Sequence, residues 1–146
     1  MLLGSCAGSS LPDPNVIGLP AVTDALQHSG ITVAQVTDNL PPDAAWQCLP
    51  GSFRLARISQ QPVAEFAQPG DRPSVEVFLF DSEAERVKAQ SAIDAGGQVQ
   101  VGNCAVMVEW IATPHVVGVR NVILFIVTDD PAGVAAVQAA ASLLAG

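Results

Sequence analysis

Val122-Ile123-Leu124-Phe125-Ile126-Val127, followed at once by Thr128-Asp129-Asp130-Pro131, is the stretch whose reading decides the fold. Six apolar residues in a row have strand length, and β-branched side chains favour the pleated conformation. A strand with one wet face alternates apolar with polar residues. This one does not, so both of its faces are expected to be covered. The period then changes. Asp130 is a helix N-cap and Pro131 suits the first helical position. Val134, Val137, Ala141 and Leu144 fall on one face of the helix that follows.

The same failure to alternate recurs upstream in Val77-Phe78-Leu79-Phe80 and Ala105-Val106-Met107-Val108. These runs predict strands over 74–80 and 105–112, the second broken by Pro114. Residues 116–120 then cross a turn at Gly118, and 122–128 return as a strand. Between the first two strands, Ser82 and Glu85 form a capping box. Glu83 with Arg86 and Glu85 with Lys88 support the helix, and Gly96-Gly97 ends it. Nearer the N-terminus, Pro20 and Gly30 bound a helix over 20–29. A strand over 31–36 follows, then a loop over 37–51 that holds Trp46 and Cys48. Residues 53–58 read as a strand, 63–66 as a short extended piece and 68–73 as a proline-rich turn. Strands joined by turns pair antiparallel, so the order predicts an α+β two-layer sandwich. It has a mostly antiparallel sheet of about five strands with three helices packed on one face. The other apolar face then needs a cover, which could be a second subunit, a partner, a ligand or the loops, and the expectation is a homodimer or an envelope protein docked through it.

Composition narrows the function classes. The chain has 146 residues, enough for one domain over 19–146 behind a tether over 1–18. Hydrophobic residues make up 49% and charged residues only 14%, which excludes intrinsic disorder. Six Lys and Arg against fourteen Asp and Glu leave a net charge of −8. A nucleic-acid surface needs clustered cations to displace phosphate counterions, so no nucleic-acid partner is expected. No apolar run reaches membrane-spanning length.

The three cysteines are Cys6, Cys48 and Cys104. Leu3-Gly4-Ser5-Cys6 has the form of a bacterial lipobox, in which the cysteine takes the lipid. The small and proline-rich residues after it read as a flexible tether. A signal peptide needs a basic start and about 7–15 apolar residues, whereas only Met1-Leu2-Leu3 come first. The reading therefore expects a start further upstream or a trimmed chain. Export implies an oxidising compartment, in which Cys48 and Cys104 pair as a disulfide. Two inert buried thiols, or a nucleophile at Cys104 near His115, are the alternatives.

Catalytic motifs are missing. There is no Gly-x-Ser-x-Gly elbow, no phosphate-binding glycine loop and no metal-ligand spacing, so no catalytic, cofactor or metal residue is assigned. Asp129-Asp130 reads as a helix cap in preference to a cation site. Glu109 reads as an exposed acid in preference to a buried one of raised pKa. Trp110, Pro114 and His115 at a strand end form a candidate binding patch, the plainer alternative being a hairpin corner with a packed Trp.

These residues carry a resemblance. Glu109-Trp110-Ile111-Ala112-Thr113-Pro114-His115, then Asn121-Val122-Ile123-Leu124 and Asp129-Asp130-Pro131-Ala132, resemble the C-terminal half of a group of small bacterial envelope lipoproteins. Val75-Glu76-Val77-Phe78 and Asp81-Ser82-Glu83 join the match, which covers roughly 50–146 and more loosely 19–36. An aromatic often follows the histidine in that group, where this chain has Val116. The resemblance implies a lipid anchor and carries no activity.

The sequence thus points to an exported domain at the periplasmic or outer face of the cell envelope, held to the membrane by lipid on Cys6. There it binds a protein or small ligand without catalysis. A small envelope hydrolase using His115 with Glu109 or Asp129 is one alternative, and an assembly factor of an envelope complex is another.

Overall fold

The computed structural model describes residues 16–62 and 72–146. Cys6, the tether up to residue 15, the extended piece at 63–66 and most of the proline turn at 68–73 lie outside the described residues.

Helix α1 spans Leu19–His28, with Pro20 in its first turn and Gly30 just past its end at φ 104°. A glycine there adopts the left-handed conformation without the steric penalty of a Cβ. Strand β1 spans Gln35–Leu40, four residues later than the sequence suggests. Ile31 is drawn out of the ladder because its amide bonds Leu26 O at 3.0 Å and its side chain is buried beneath the helix end. After a short 3-10 turn at Ala44–Trp46 come β2 (Phe53–Ser59) and β3 (Val75–Phe80). Ser82 Oγ then accepts from Glu85 N at 3.1 Å and opens α2, Glu83–Gln90, which stops short of the expected end at Gly96-Gly97.

The next segment departs most from expectation. In place of one strand over 105–112, a small hairpin joins β4 (Val99–Val101) to β5 (Cys104–Val106), and 107–113 runs irregularly. Pro114 does not break a strand. It begins one, β6 (Pro114–Val119), at the sheet edge, where a missing N–H can face outward without loss. Gly118 therefore lies within β6, and the turn is Arg120-Asn121, with Arg120 at φ 50°. Strand β7 (Val122–Val127) returns, and Asp130 caps α3, Pro131–Ala145.

The main sheet has the order β1-β2-β3-β7-β6 with every neighbouring pair antiparallel, and β4-β5 forms a separate two-stranded sheet. The chain is an α+β fold. Its helices are not all on one face. Ala56, Ile58, Val75, Val77, Leu124 and Ile126 pack against α1 and α3. Leu55, Phe78, Phe80, Ile123 and Phe125 point the other way and meet Trp46, Cys48, Val99 and Ala89 of α2. Alternation along each strand makes this division, since successive side chains leave opposite faces. The second apolar face is thus covered by the chain's own loop, hairpin and α2. Of the covers considered, the chain's own loops are thus the one seen on that face, and the demand that pointed to a docked partner is met from within the chain.

Asn121 ties the two ends of the fold together. Its side chain is buried, accepts from Ile17 N at 2.7 Å, and donates to Ile17 O at 3.1 Å and Phe80 O at 3.0 Å. Asn121→Ala leaves those main-chain groups without their partner at a part-buried site. The expected loss is about 1–3 kcal/mol of unfolding free energy, measured by urea denaturation.

Candidate functional site

The candidate residues gather where 107–113 leaves β5 and enters β6. Cys48 and Cys104 form a disulfide that spans 56 residues of sequence. It fixes the loop carrying Trp46 to the β4-β5 hairpin. A cross-link closing so long a loop contributes a few kcal/mol, about 2–5, when intact. Gln98 adds a second tie: its Nε2 donates to Val108 O and its Oε1 accepts from Val108 N, both at 2.8 Å. A third comes from Asp129, whose Oδ1 accepts from Thr113 N at 3.1 Å and from Thr113 Oγ1 at 2.5 Å.

Inside this frame lies an aromatic cluster. Trp46 meets Phe78 and Phe125 edge-on, each with ring centroids 4.9 Å apart. Trp110 tilts over the same group, 5.9 Å from Trp46 and 5.1 Å from Phe125. Such offset and edge contacts suit the ring quadrupoles. Trp110 is therefore half-buried packing, as the hairpin-corner reading has it. The loop around it is not all buried: Met107 is 85% exposed and Ile111 99% exposed. A loop held at three points keeps these apolar tips in water.

The expected patch is divided. Trp110 and Pro114 both border Gly97 on the aromatic side of the sheet. His115, one residue on, leaves the opposite face and bonds Thr128 O through Nε2 at 3.0 Å. Of the two acids considered beside it, Glu109 is exposed on the loop and Asp129 takes its hydrogen bonds from Thr113. Among the described residues no carboxylate is bonded to His115. The Thr113 hydroxyl and amide hold the Asp129 carboxyl below its usual range, and the charge of His115 adds to this. Asp130 is a helix cap, its Oδ1 accepting from Ala132 N at 3.0 Å. Among the described residues no group of three ligating side chains could hold a metal ion.

One residue escaped the sequence reading. Glu76 sits in β3 between runs of apolar residues, and its side chain shares the aromatic side of the sheet with Phe78. Its Oε2 is buried without a hydrogen bond and lies 3.7 Å from Arg57 Nη2 on the paired strand. Burial raises its pKa above the usual 4.5, Arg57 opposes the rise, and Asp43 adds to it. An acid inside Val75-Glu76-Val77-Phe78 was the available signal. A hollow of about 700 Å³ at the opposite end of the sheet is lined by Arg54, Asp81 and Asn121 among others. Arg54 is paired to Asp38 at 3.0 Å and Asn121 is fully bonded, so its polar groups are largely committed.

Two substitutions test this geometry. Gly97 has φ 74°, and a Cβ there would lie 2.9 Å from the Pro114 ring and from Trp110 Nε1. Gly97→Ala is expected to lower stability by about 1–3 kcal/mol and to shift tryptophan fluorescence as Trp110 is displaced. For Glu76 the sign follows from its raised pKa. The folded state holds the proton more tightly than the unfolded chain, so stability is fully present below about pH 4.5 and declines as pH rises through the folded-state pKa. Glu76→Gln should therefore melt higher than the parent at neutral pH, with the gap closing below about pH 4.5. A gap that widens on acidification would contradict this placement of the carboxyl. The chain matches no family model, no curated protein and no solved structure, so the chemistry of the site rests on its own residues.

Proposed function

We propose that this chain is an exported binding domain of the bacterial cell envelope, held to the membrane by lipid on Cys6 and working without catalysis. The observation that carries the reading is the Cys48–Cys104 disulfide. Disulfides persist in oxidising compartments, which favours export. The pairing also leaves Cys6 as the odd thiol, and Cys6 stands in Leu3-Gly4-Ser5-Cys6 ahead of a polar, proline-bearing stretch. No helix among the described residues is long and apolar enough to cross a membrane. Binding is favoured by the pinned loop at 107–113, where Met107 and Ile111 offer apolar contacts at little further ordering cost.

The anchor is tested by metabolic labelling with an alkyne fatty acid in a bacterial host, the chain being placed behind a lipoprotein leader. The wild type should take up label and sediment with membranes. Cys6→Ser should lose the label and move to the soluble fraction, while the Cys48–Cys104 bridge stays intact by thiol alkylation. Equal labelling of both forms, or free thiols at Cys48 and Cys104 in the exported chain, would overturn the reading.

A further inference from the structure

The two edges of the main sheet differ. Strand β1 is a guarded edge: it bulges between Thr37 and Leu40, Asn39 takes φ 53°, and Asp38 is charged and paired to Arg54. Bulges and charges are the usual devices against edge-to-edge pairing. Strand β6 carries neither, and its one guard of this kind is Pro114 at its first residue. Its residues, Pro-His-Val-Val-Gly-Val, include no Asp, Glu, Lys or Arg, and it pairs with β7 residue for residue without a bulge.

The hydrogen-bond phase of β6 can be read from its start. Thr128 N donates to Thr113 O at 2.9 Å, so the odd-numbered residues bond to β7. Alternation then turns the N–H and C=O groups of Val116 and Gly118, and the C=O of Pro114, toward the outside of the sheet. No hydrogen bond to these groups is made among the described residues. Beside them lies a groove of about 360 Å³. Its walls are Gln90, Ile93 and Asp94 from the α2 side and Gln138 from α3, with Pro114 to Val117 as its floor. Because α2 and α3 cover opposite faces, a groove touching both must straddle the open edge of β6.

The geometry points to β-strand addition: the β6 edge takes an extended, basic segment of another protein as a sixth strand. Main-chain groups on an open edge are satisfied by another extended main chain, which is how strand-adding recognition obtains affinity. A second copy of the domain would bring its own flanking helices, and each copy carries a net charge of −8. The charge of the occupant follows from the walls. Asp94 lines the groove, Asp129 lines an adjoining hollow that shares His115 and Gln138, and neither is lined by Lys or Arg, whereas Arg86 lies over Gly118 at the other end of β6, so the basic residues of the occupant belong at the Pro114 end. The proposal rests on the reading of this chain as a binding domain and does not depend on the lipid.

The test uses the full unlipidated chain, panned against displayed random peptides. Enriched sequences are synthesised and their affinity measured by fluorescence anisotropy. Val116→Pro removes an outward N–H, Val116→Ala trims the same half-buried side chain on the aromatic side but keeps the N–H, and Gln138→Lys adds a cation on an exposed helix position. Enriched peptides should combine Lys or Arg with alternating apolar residues. They should bind about tenfold or more weakly to Val116→Pro and to Gln138→Lys, and within about twofold of the parent to Val116→Ala. Bound peptide should slow amide exchange at Val116 and Gly118. Peptides that bind Val116→Pro as well as the parent, or that protect 101–111 instead, overturn the edge site while leaving a binding domain in place. Failure to enrich any peptide overturns it too. A concentration-dependent dimer abolished by Val116→Pro would make the edge a self-pairing interface, also against the proposal. Cys6 labelling is unaffected by any of these outcomes.

Discussion

A sheet with two apolar faces has to be covered twice, and the rest of this structure depends on how the chain meets that demand. Phe78 and Phe125 leave one side of the sheet while Val77, Leu124 and Ile126 leave the other. Two helices of ordinary length suffice for the aliphatic side. The aromatic side is wider in character and is closed by smaller pieces: Trp46 on a 3-10 turn, one buried residue of α2, and the β4-β5 hairpin. Short pieces bury little apolar area each and would not stay docked on burial alone. The Cys48–Cys104 disulfide, the Gln98–Val108 pair of hydrogen bonds and the Thr113–Asp129 bonds supply the missing constraint.

That constraint shapes the surface as well. Once 107–113 is held at its ends and at Val108, Trp110 can turn inward and complete the aromatic cluster. Met107 and Ile111 then have nowhere inside to go. The same arrangement leaves the outward main-chain groups of β6 without partners among the described residues, while side chains of α2 reach over the face of the strand at Gly118. There Arg86 donates to Arg120 O at 2.7 Å and to Gln90 Oε1 at 2.7 Å, over Gly118. Tight closure of one sheet face and a sheet edge guarded only by Pro114 are consequences of one layout.

Local signals were legible wherever the decisive bond joins near neighbours. Ser82 and Asp130 cap their helices, and Pro20 and Gly30 bound α1, because each acts on residues within one turn. The apolar strands at 75–80 and 122–127 were legible from their failure to alternate, and so was the Cys48–Cys104 pairing once export was supposed. The segment from 104 to 119 was not. Ala105 to Ala112 is apolar throughout, and period alone does not separate a buried strand from a loop whose alternate residues lie out in water. Gln98 and Cys104, through partners 10 and 56 residues away, draw it off the sheet. For the site, adjacency in sequence misled: Pro114 and His115 are neighbours whose side chains a strand sends to opposite faces.

By itself the sequence determined the α+β class, the helix starts capped by Ser82 and Asp130, the acidic charge balance and the need to cover both faces of the sheet. Those properties follow from bonds within a turn or from composition, which exist before the chain is folded. Only the tertiary structure decided what does the covering, that Pro114 starts an edge strand, that Glu76 is buried beside Arg57, and that one sheet edge stands open. Each of these depends on groups far apart in the chain meeting across the sheet, and no local pattern records which of several apolar segments will reach a face first.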